Sequence, residues 1–155
     1  MLKTLITVLL LLIAGCAECP KYDSPQRLTW TQEKIARYFI KKQVVNPVEC
    51  ARAIATNSEY PFIAAAQAVV ESQVKPAAVG KHKERGCYQV REKYWGKVST
   101  RLDRQTRQHS VILAALIQEH RGHVKRAIRA YNGSGRKAIR YERMVAKNIA
   151  EVMYG

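Results

Sequence analysis

The fold of this chain is decided by residues 60–72, which read Tyr-Pro-Phe-Ile-Ala-Ala-Ala-Gln-Ala-Val-Val-Glu-Ser. The proline suits the first turn of a helix, because its missing N–H is not needed there. From Phe62 to Val70 every side chain but one glutamine is apolar, so this helix should be buried on nearly all sides. Glu71 and Ser72 follow at its end, and Pro76 prevents it from continuing far. The stretch predicts a central, buried helix that ends on a carboxylate.

Helical patterns also lie on both sides of this segment. The spacing of apolar residues predicts further helices over about 31–43, 47–57, 103–120, 124–131 and 137–153, with Thr31 as the cap of the first. Residues 75–88 are polar and contain two glycines, which indicates a loop or a small subdomain. No alternation is long enough for a good sheet. The predicted fold is mainly α, with a small irregular or β element around 78–92.

The composition is that of a folded protein, and its charge is unusual. The chain has 155 residues, of which 47% are hydrophobic and 25% charged. These values fit one domain with an appendage and exclude a disordered chain, a collagen and a polytopic membrane protein. The chain has 27 Lys and Arg but only 12 Asp and Glu, which gives a net charge of +15. Such a charge predicts an anionic partner: nucleic acid, anionic lipid or an acidic polymer such as a cell wall.

The first fifteen residues are typical of an export signal. Lys3 precedes an apolar run from Val8 to Ala14, much shorter than the about 20 residues that span a bilayer. The run ends Leu-Ile-Ala-Gly before Cys16, which resembles a bacterial lipobox and predicts lipidation of Cys16. The alternative is ordinary signal cleavage, with Cys16 incidental. The predicted organisation is a lipoprotein-type signal peptide over 1–15, a tether over 16–30 and the functional domain over 31–155.

Export changes the interpretation of the charge. Removal of residues 1–15 takes away only Lys3, so the mature chain keeps a net charge of +14. Because Ala17, after the cysteine, is not acidic, the predicted location is the periplasm, with a lipid anchor in the outer membrane. A nucleic-acid partner is not expected there, and a monomer is predicted.

The cysteines and histidines predict no metal site. Acylation of Cys16 would leave three cysteines, Cys19, Cys50 and Cys87, whose spacing permits one disulfide but selects no pair. No Cys-x-x-Cys is accompanied by paired histidines, and His120-x-x-His123 has no evident third ligand. We therefore expect neither a metal nor a cofactor.

Glu71 is the strongest candidate for a catalytic group. Burial at the end of an apolar helix disfavours the charged carboxylate and raises its pKa, and the negative end of the helix dipole acts in the same direction. A carboxylic acid that stays protonated near neutral pH is suited to general acid catalysis. The alternative is that Glu71 only caps the helix end or pairs with a nearby Lys or Arg.

Four short motifs place Glu71 in a wider pattern. In chain order they are Glu71-Ser72 with Pro76-x-Ala78-Val79-Gly80, Gly86-Cys87-Tyr88-Gln89-Val90, Ala130-Tyr131-Asn132-Gly133, and Tyr141-x-x-x-Val145. In that order and at those spacings, the chain resembles the lytic transglycosylases of the soluble-lytic-transglycosylase type, whose catalytic domain is similar to goose-type lysozyme. The resemblance covers about Tyr60 to Tyr154 and implies a lysozyme-like helical domain.

The resemblance implies catalytic and supporting roles near the end of the central helix. Glu71 matches the single catalytic acid/base of the family, and Ser72 matches the serine that supports the site. Tyr141 is similar to the late tyrosine that reaches toward the catalytic glutamate.

The other matching residues would contact the glycan. Gln89 matches the glutamine of the Gly-Leu-Met-Gln motif, which lines the groove. Cys87 and Tyr88 depart from the leucine and methionine of that motif, so the ring of Tyr88 would replace the methionine contact. Tyr131 and Asn132 match the Ala-Tyr-Asn motif near the acid. Amide and phenol groups suit sugar hydroxyls and acetamides, and aromatic rings stack on sugar faces.

The resemblance implies non-hydrolytic cleavage of peptidoglycan between N-acetylmuramic acid and N-acetylglucosamine, which leaves 1,6-anhydromuramoyl ends. One alternative is a hydrolytic muramidase similar to goose-type lysozyme. It needs a second carboxylate, and Glu84 is the candidate, although the basic residues around it favour an ion pair. Another alternative is a basic module for wall binding or assembly, with little activity.

Overall fold

The computed structural model describes residues 27–155, and seven helices lie within that range. They are α1 (Trp30–Lys41), α2 (Pro47–Asn57), α3 (Pro61–Ser72), α4 (Glu92–Trp95), α5 (Leu102–Glu119), α6 (Val124–Tyr131) and α7 (Gly135–Tyr154). The predicted mainly-α fold is confirmed.

Prolines and a capping residue mark where the first three helices begin. α2 and α3 begin at Pro47 and Pro61, as predicted. The predicted cap at Thr31 is wrong, because Thr29 caps α1. The Thr29 hydroxyl accepts a hydrogen bond from the backbone N–H of Gln32 at 3.2 Å, and the Gln32 side chain accepts one from the backbone N–H of Thr29 at 3.0 Å. This reciprocal capping box needs an acceptor three residues after the cap, which Gln32 supplies for Thr29 and Lys34 cannot supply for Thr31.

α3 lies at the centre of the molecule. Its residues 64–69 are all buried, and it packs against α1, α2, α5 and α7. Alanines make up most of this buried run, and their small side chains let the neighbouring helices approach closely. The predicted central helix is confirmed.

α3 ends in a tight turn just beyond Glu71. Gln73 and Val74 both have φ of 58°, and their backbone N–H groups donate to the carbonyl oxygens of Val69 and Ala68, each at 3.0 Å. This left-handed conformation is unfavourable for a β-branched residue such as Val74, whose side chain is nevertheless buried. The turn directs the following segment back across the end of α3.

That segment contains the small β element expected around 78–92. It consists of two isolated bridges, which pair Arg85 with Val79 and with Val90. Gly86 has φ of +76°, and a Cβ there would lie 2.5 Å from the amide oxygen of Gln105. The same oxygen accepts a hydrogen bond from the backbone N–H of Cys87 at 2.7 Å. A glycine is therefore required where the segment meets α5.

Two cysteines lie within the described residues. Cys50 is half-buried, Cys87 is fully buried, and both are free thiols. Cys16, Cys19 and the predicted signal peptide lie outside the described residues, as does most of the predicted tether. Between residues 27 and 155, no helix combines the length and the apolarity needed to cross a membrane.

Candidate active site

A cleft of about 430 Å³ opens at the end of α3. It is formed by the end of α3 with the 78–91 segment, the one-turn helix α4, Ile112 and Leu116 of α5, and the end of α6 with the turn that follows it. The polar and aromatic residues that line it are Glu71, Lys81, Glu84, Gln89, Arg91, Tyr94, Trp95, Tyr131 and Asn132. Four of the seven residues predicted to form the site therefore share one cavity: Glu71, Gln89, Tyr131 and Asn132.

Glu71 is a partly buried, desolvated carboxyl group in this cleft. Burial raises its pKa from the usual 4.5 to about 7, a hydrogen bond from the Tyr141 hydroxyl partly opposes this rise, and the charge of Glu84 adds to it. Desolvation is the main cause, as the sequence predicts. A carboxyl group with a pKa near 7 is present in both protonation states at neutral pH, so it can give up a proton and take one back.

Tyr141 holds Glu71 from behind. It lies on α7 and is buried, and its hydroxyl interacts with the Glu71 carboxyl group and lowers the pKa of that group. The same hydroxyl oxygen accepts a hydrogen bond from Nε2 of Gln67 at 2.8 Å. Tyr141 is not part of the cleft lining, so it supports Glu71 without facing a bound ligand.

Two polar residues behind Tyr141 are not identified by the sequence patterns. Gln67 and His109 are completely buried, and His109 Nε2 lies 2.9 Å from Oε1 of Gln67. Burial lowers the pKa of His109 to about 3, so its ring is neutral. The signal for Gln67 is present in the sequence, because it is the single polar residue between Phe62 and Val70.

Ser72 is a supporting residue. Its hydroxyl donates to the carbonyl oxygen of Cys87 at 2.9 Å and accepts a hydrogen bond from the backbone N–H of Lys75 at 3.0 Å. These two bonds join the end of α3 to the segment that carries Gln89. The side chain does not line the cleft, so the predicted substrate contact by Ser72 is wrong, because its hydroxyl is engaged by the Cys87 carbonyl and the Lys75 N–H.

The predicted substrate contact by Tyr88 is wrong. Its side chain is only 1% exposed, and its hydroxyl pairs with that of Thr106 at 3.1 Å. The ring stacks on His109, with ring centroids 4.2 Å apart. Tyr88 points into the core because α5 supplies both a hydrogen-bond partner and a ring surface there. Tyr88 is therefore a core residue and not part of the cleft wall.

Gln89 lies in the cleft, next to buried Tyr88. Its backbone has φ of 48°, and its Nε2 donates to the carbonyl oxygen of Gly86 at 2.9 Å. The side chain also lies so close to Gly80 that a Cβ at that position would collide with the amide oxygen. Gly80 and the left-handed backbone together set the position of the Gln89 amide at the cleft wall.

Tyr131 and Asn132 form another part of the wall. The Tyr131 hydroxyl donates to the carbonyl oxygen of Tyr88 at 2.9 Å, and its ring lies 5.5 Å from that of His109. This hydrogen bond links the end of α6 to the 78–90 segment. Asn132 is exposed beside it, so its amide is available to a ligand.

Two aromatic side chains in the cleft were not predicted. Tyr94 and Trp95 belong to α4 and are 64% and 42% exposed. The helix has one turn, which is too short to produce a detectable apolar period. Exposed aromatic rings beside a buried acid are typical of carbohydrate sites, where they stack on sugar faces.

Glu84 is a second carboxylate in the cleft. It forms an ion pair with Arg91 at 3.1 Å and accepts a hydrogen bond from the backbone N–H of His82 at 2.8 Å. Desolvation favours its neutral form, but backbone hydrogen bonds and Arg91 prevail, so the pKa of Glu84 is lowered. The expected ion pair is present, although its partner is Arg91 rather than one of the nearer basic residues.

Within residues 27–155, no group of three or more His, Cys, Asp or Glu side chains is arranged to hold a metal ion. Searches of protein-family models, curated proteins and solved structures find no match to this chain.

Proposed function

We propose that this protein is a peptidoglycan lytic transglycosylase with Glu71 as its only acid/base. The observation that carries the proposal is the desolvated Glu71 carboxyl group, which lies in an open cleft beside the Tyr141 hydroxyl and has a pKa raised to about 7. One group that can both donate and accept a proton at neutral pH is what an intramolecular cleavage requires. The order of the four motifs supports the same conclusion.

In the proposed reaction, protonated Glu71 donates its proton to the glycosidic oxygen as the bond from C1 of N-acetylmuramic acid breaks. The acetamide oxygen of the same sugar stabilises the positive charge at C1. Ionised Glu71 then takes the proton of the C6 hydroxyl, and the C6 oxygen bonds to C1 to close the anhydro ring. Because the C6 hydroxyl of the sugar itself attacks C1, the reaction consumes no water. Glu71 is protonated again at the end of the cycle.

The cleft supplies the contacts that a glycan needs. Gln89 and Asn132 present amides for acetamide and hydroxyl groups, while Tyr94 and Trp95 present rings. Lys81 places positive charge at the same cleft, where the lactyl or stem-peptide carboxylates of peptidoglycan would lie, whereas the charge of Arg91 is offset by its ion pair with Glu84. These groups support peptidoglycan rather than a neutral polysaccharide as the substrate.

Replacement of Trp95 tests the glycan-binding surface. We expect Trp95→Ala to raise KM about tenfold with little change in kcat, because stacking on a sugar contributes to binding in both the ground state and the transition state. Trp30→Ala is the matched control, since Trp30 is also exposed but lies against Phe62 outside the cleft. Equal effects of the two changes would contradict this role for Trp95.

A hydrolytic muramidase is the second candidate, because ionised Glu84 shares the cleft with Glu71. In that mechanism Glu84 would activate water. Its role is disfavoured because Arg91 and the His82 N–H engage its two oxygens, and a carboxylate whose pKa is lowered is a weak base.

Product analysis separates the two reactions. We expect mass spectrometry of digested peptidoglycan to show fragments with 1,6-anhydro ends, which weigh one water less than hydrolysed fragments. Glu84→Gln should keep at least a tenth of the wild-type kcat, because the intramolecular route does not use a second carboxylate. Reducing ends together with an inactive Glu84→Gln enzyme would replace the proposal with the muramidase reaction.

The charge of the chain suits docking on the envelope. Four cationic residues recur every three or four positions along α7 and form one exposed stripe: Arg136, Arg140, Arg143 and Lys147. The stripe faces away from the buried side of α7, which carries Tyr141 and Val145. We propose that it holds the enzyme on the anionic wall polymer.

A charge-reversal variant tests docking separately from cleavage. In a Glu71→Gln background, Arg140→Glu with Arg143→Glu should weaken binding to isolated cell walls about tenfold at low salt, with the difference disappearing near 1 M salt. The matched control is Arg104→Glu with Arg107→Glu on α5, where both side chains are also exposed. Docking through α7 is excluded if the two pairs behave alike.

We also propose that the chain is exported and held at the outer membrane by lipid on Cys16. This proposal is supported by the apolar run before Cys16 and by the net charge of +14 that remains after cleavage. If instead the protein only binds and organises the wall, the binding assay will be positive while no glycan fragments are released.

A further inference from the structure

A chain of buried polar groups extends from Glu71 into the core. The Tyr141 hydroxyl interacts with Glu71 and lowers the pKa of its carboxyl group, Gln67 Nε2 donates to the Tyr141 hydroxyl oxygen at 2.8 Å, and Gln67 Oε1 lies 2.9 Å from His109 Nε2. Gln67, His109 and Tyr141 are all at least nine-tenths buried. These polar groups connect three helices, because Gln67 belongs to α3, Tyr141 to α7 and His109 to α5.

The order of donors along this chain follows from the Gln67 bond to Tyr141. The Tyr141 hydroxyl oxygen accepts from Gln67 Nε2, which leaves the single hydroxyl proton free to face Glu71. The Gln67 amide then turns its oxygen toward His109, whose Nε2 must carry the proton of the neutral ring. His109 Nδ1 is left as a bare acceptor, and among the described residues it has no hydrogen-bond partner.

We propose that Gln67 and His109 are positioning residues that direct the proton of Glu71 toward the cleft. They keep the Tyr141 hydroxyl aimed at one carboxyl oxygen, which remains an acceptor in both protonation states. The acidic proton is therefore carried by the other oxygen, where it can reach a glycosidic oxygen. The inference rests on the proposed function and assigns a role to residues that do not touch the substrate.

Packing alone does not account for these two residues. A methionine and a phenylalanine would fill similar volumes in the interior without polar atoms, and such replacement of a buried polar pair is often close to neutral for stability. His109 instead leaves one ring nitrogen unpaired in the core, which is unfavourable. The feature that this arrangement produces is a fixed direction of hydrogen bonding toward Glu71.

The test uses one disruptive change at each residue. Gln67→Met removes both hydrogen bonds at nearly constant volume, and His109→Phe removes the donor to Gln67. We expect each to lower kcat about tenfold with KM changed less than twofold, as for other residues that orient a reacting group indirectly. His109→Gln, which can still donate through its amide, should recover most of the lost kcat.

A direct titration of Glu71 provides a readout that does not depend on activity. The titratable groups that face Glu71 are Tyr131, Tyr141 and Glu84, and all remain in these variants. Carbon NMR of the Glu71 carboxyl should show its midpoint move upward in Gln67→Met, because Tyr141 becomes a weaker donor. The alkaline limb of the pH dependence of kcat should also move to higher pH.

Thr106→Val is the control for a merely structural effect. It removes a buried hydrogen bond to Tyr88 on the same side of the core but leaves the chain to Glu71 intact. The proposal is overturned if Thr106→Val lowers kcat and shifts the titration as much as Gln67→Met does, or if neither Gln67→Met nor His109→Phe has an effect. If Gln67→Met does not fold, His109→Phe and His109→Gln decide the same question.

The outcomes also separate this inference from the proposed function. A wild-type enzyme that releases no glycan fragments refutes the transglycosylase, whereas the NMR titration of Glu71 still reports whether Gln67 and His109 act on it. An active wild type whose Glu71 midpoint is the same in all variants refutes the positioning role alone.

Discussion

Glu71→Gln should abolish the release of glycan fragments, with kcat at least 1000-fold lower than in the wild type. The amide has nearly the same shape as the carboxyl group but can neither donate the acidic proton nor take the proton of the C6 hydroxyl, so both steps are lost. The measurement is fragment release from purified peptidoglycan, followed by chromatography and mass spectrometry. Activity above a hundredth of the wild-type level would contradict the assignment of Glu71.

The same variant should fold stably, and its stability relative to the wild type should rise with pH. The pKa of Glu71 is raised to about 7 in the folded protein against 4.5 ordinarily. The contribution of Glu71 to the free energy of unfolding is therefore complete below about pH 4.5. It is lost as the pH rises through 7, because the desolvated carboxyl group must then ionise. The uncharged amide does not titrate, so Glu71→Gln should gain about 2–3 kcal/mol relative to the wild type between pH 4.5 and pH 8. Denaturant unfolding at several pH values measures this difference.

Tyr141→Phe should lower kcat about tenfold to a hundredfold and raise the pKa of Glu71 further. The lost hydrogen bond normally stabilises the ionised carboxylate, so its removal favours the protonated form. The alkaline limb of the pH profile should move to higher pH. Because Gln67 Nε2 loses its acceptor in the core, unfolding free energy should also fall by about 1–3 kcal/mol.

Tyr88→Phe is the matched control for that experiment. It also removes a buried tyrosine hydroxyl, but this hydroxyl pairs with Thr106 rather than with Glu71. We expect a loss of stability with kcat and the pH profile unchanged. A drop in kcat as large as that of Tyr141→Phe would mean that general loosening of the core, and not the bond to Glu71, reduces activity.

The elements that sequence patterns predict well are those with strong local signals. The six longer helices follow from apolar periodicity and from prolines at their first turns, as at Pro47 and Pro61. α4 and the bridges at Arg85 do not follow, because a single turn and two isolated bridges have no period to detect. Their shape depends instead on contacts with distant residues, such as the Gln105 amide at Gly86.

The residues of the candidate site also differ in how well the sequence predicts them. Glu71 is predictable because its desolvation follows from the apolar helix that carries it, and the raised pKa agrees with that argument. Tyr88 could not be assigned correctly from its motif, because the side of the chain on which its ring lies depends on Thr106 and His109 of α5.

The amino-acid sequence determines the helical class of this protein, its buried central helix and the desolvated carboxyl group at the end of that helix. These properties follow from the order of apolar and polar residues along one short segment. Only the tertiary structure decides which distant side chains meet that carboxyl group: Tyr141 behind it, Glu84 beside it, Tyr94 and Trp95 across the cleft. The physical reason is that hydrogen bonds and ring contacts depend on distances of a few ångströms between helices, which packing sets and local periodicity does not.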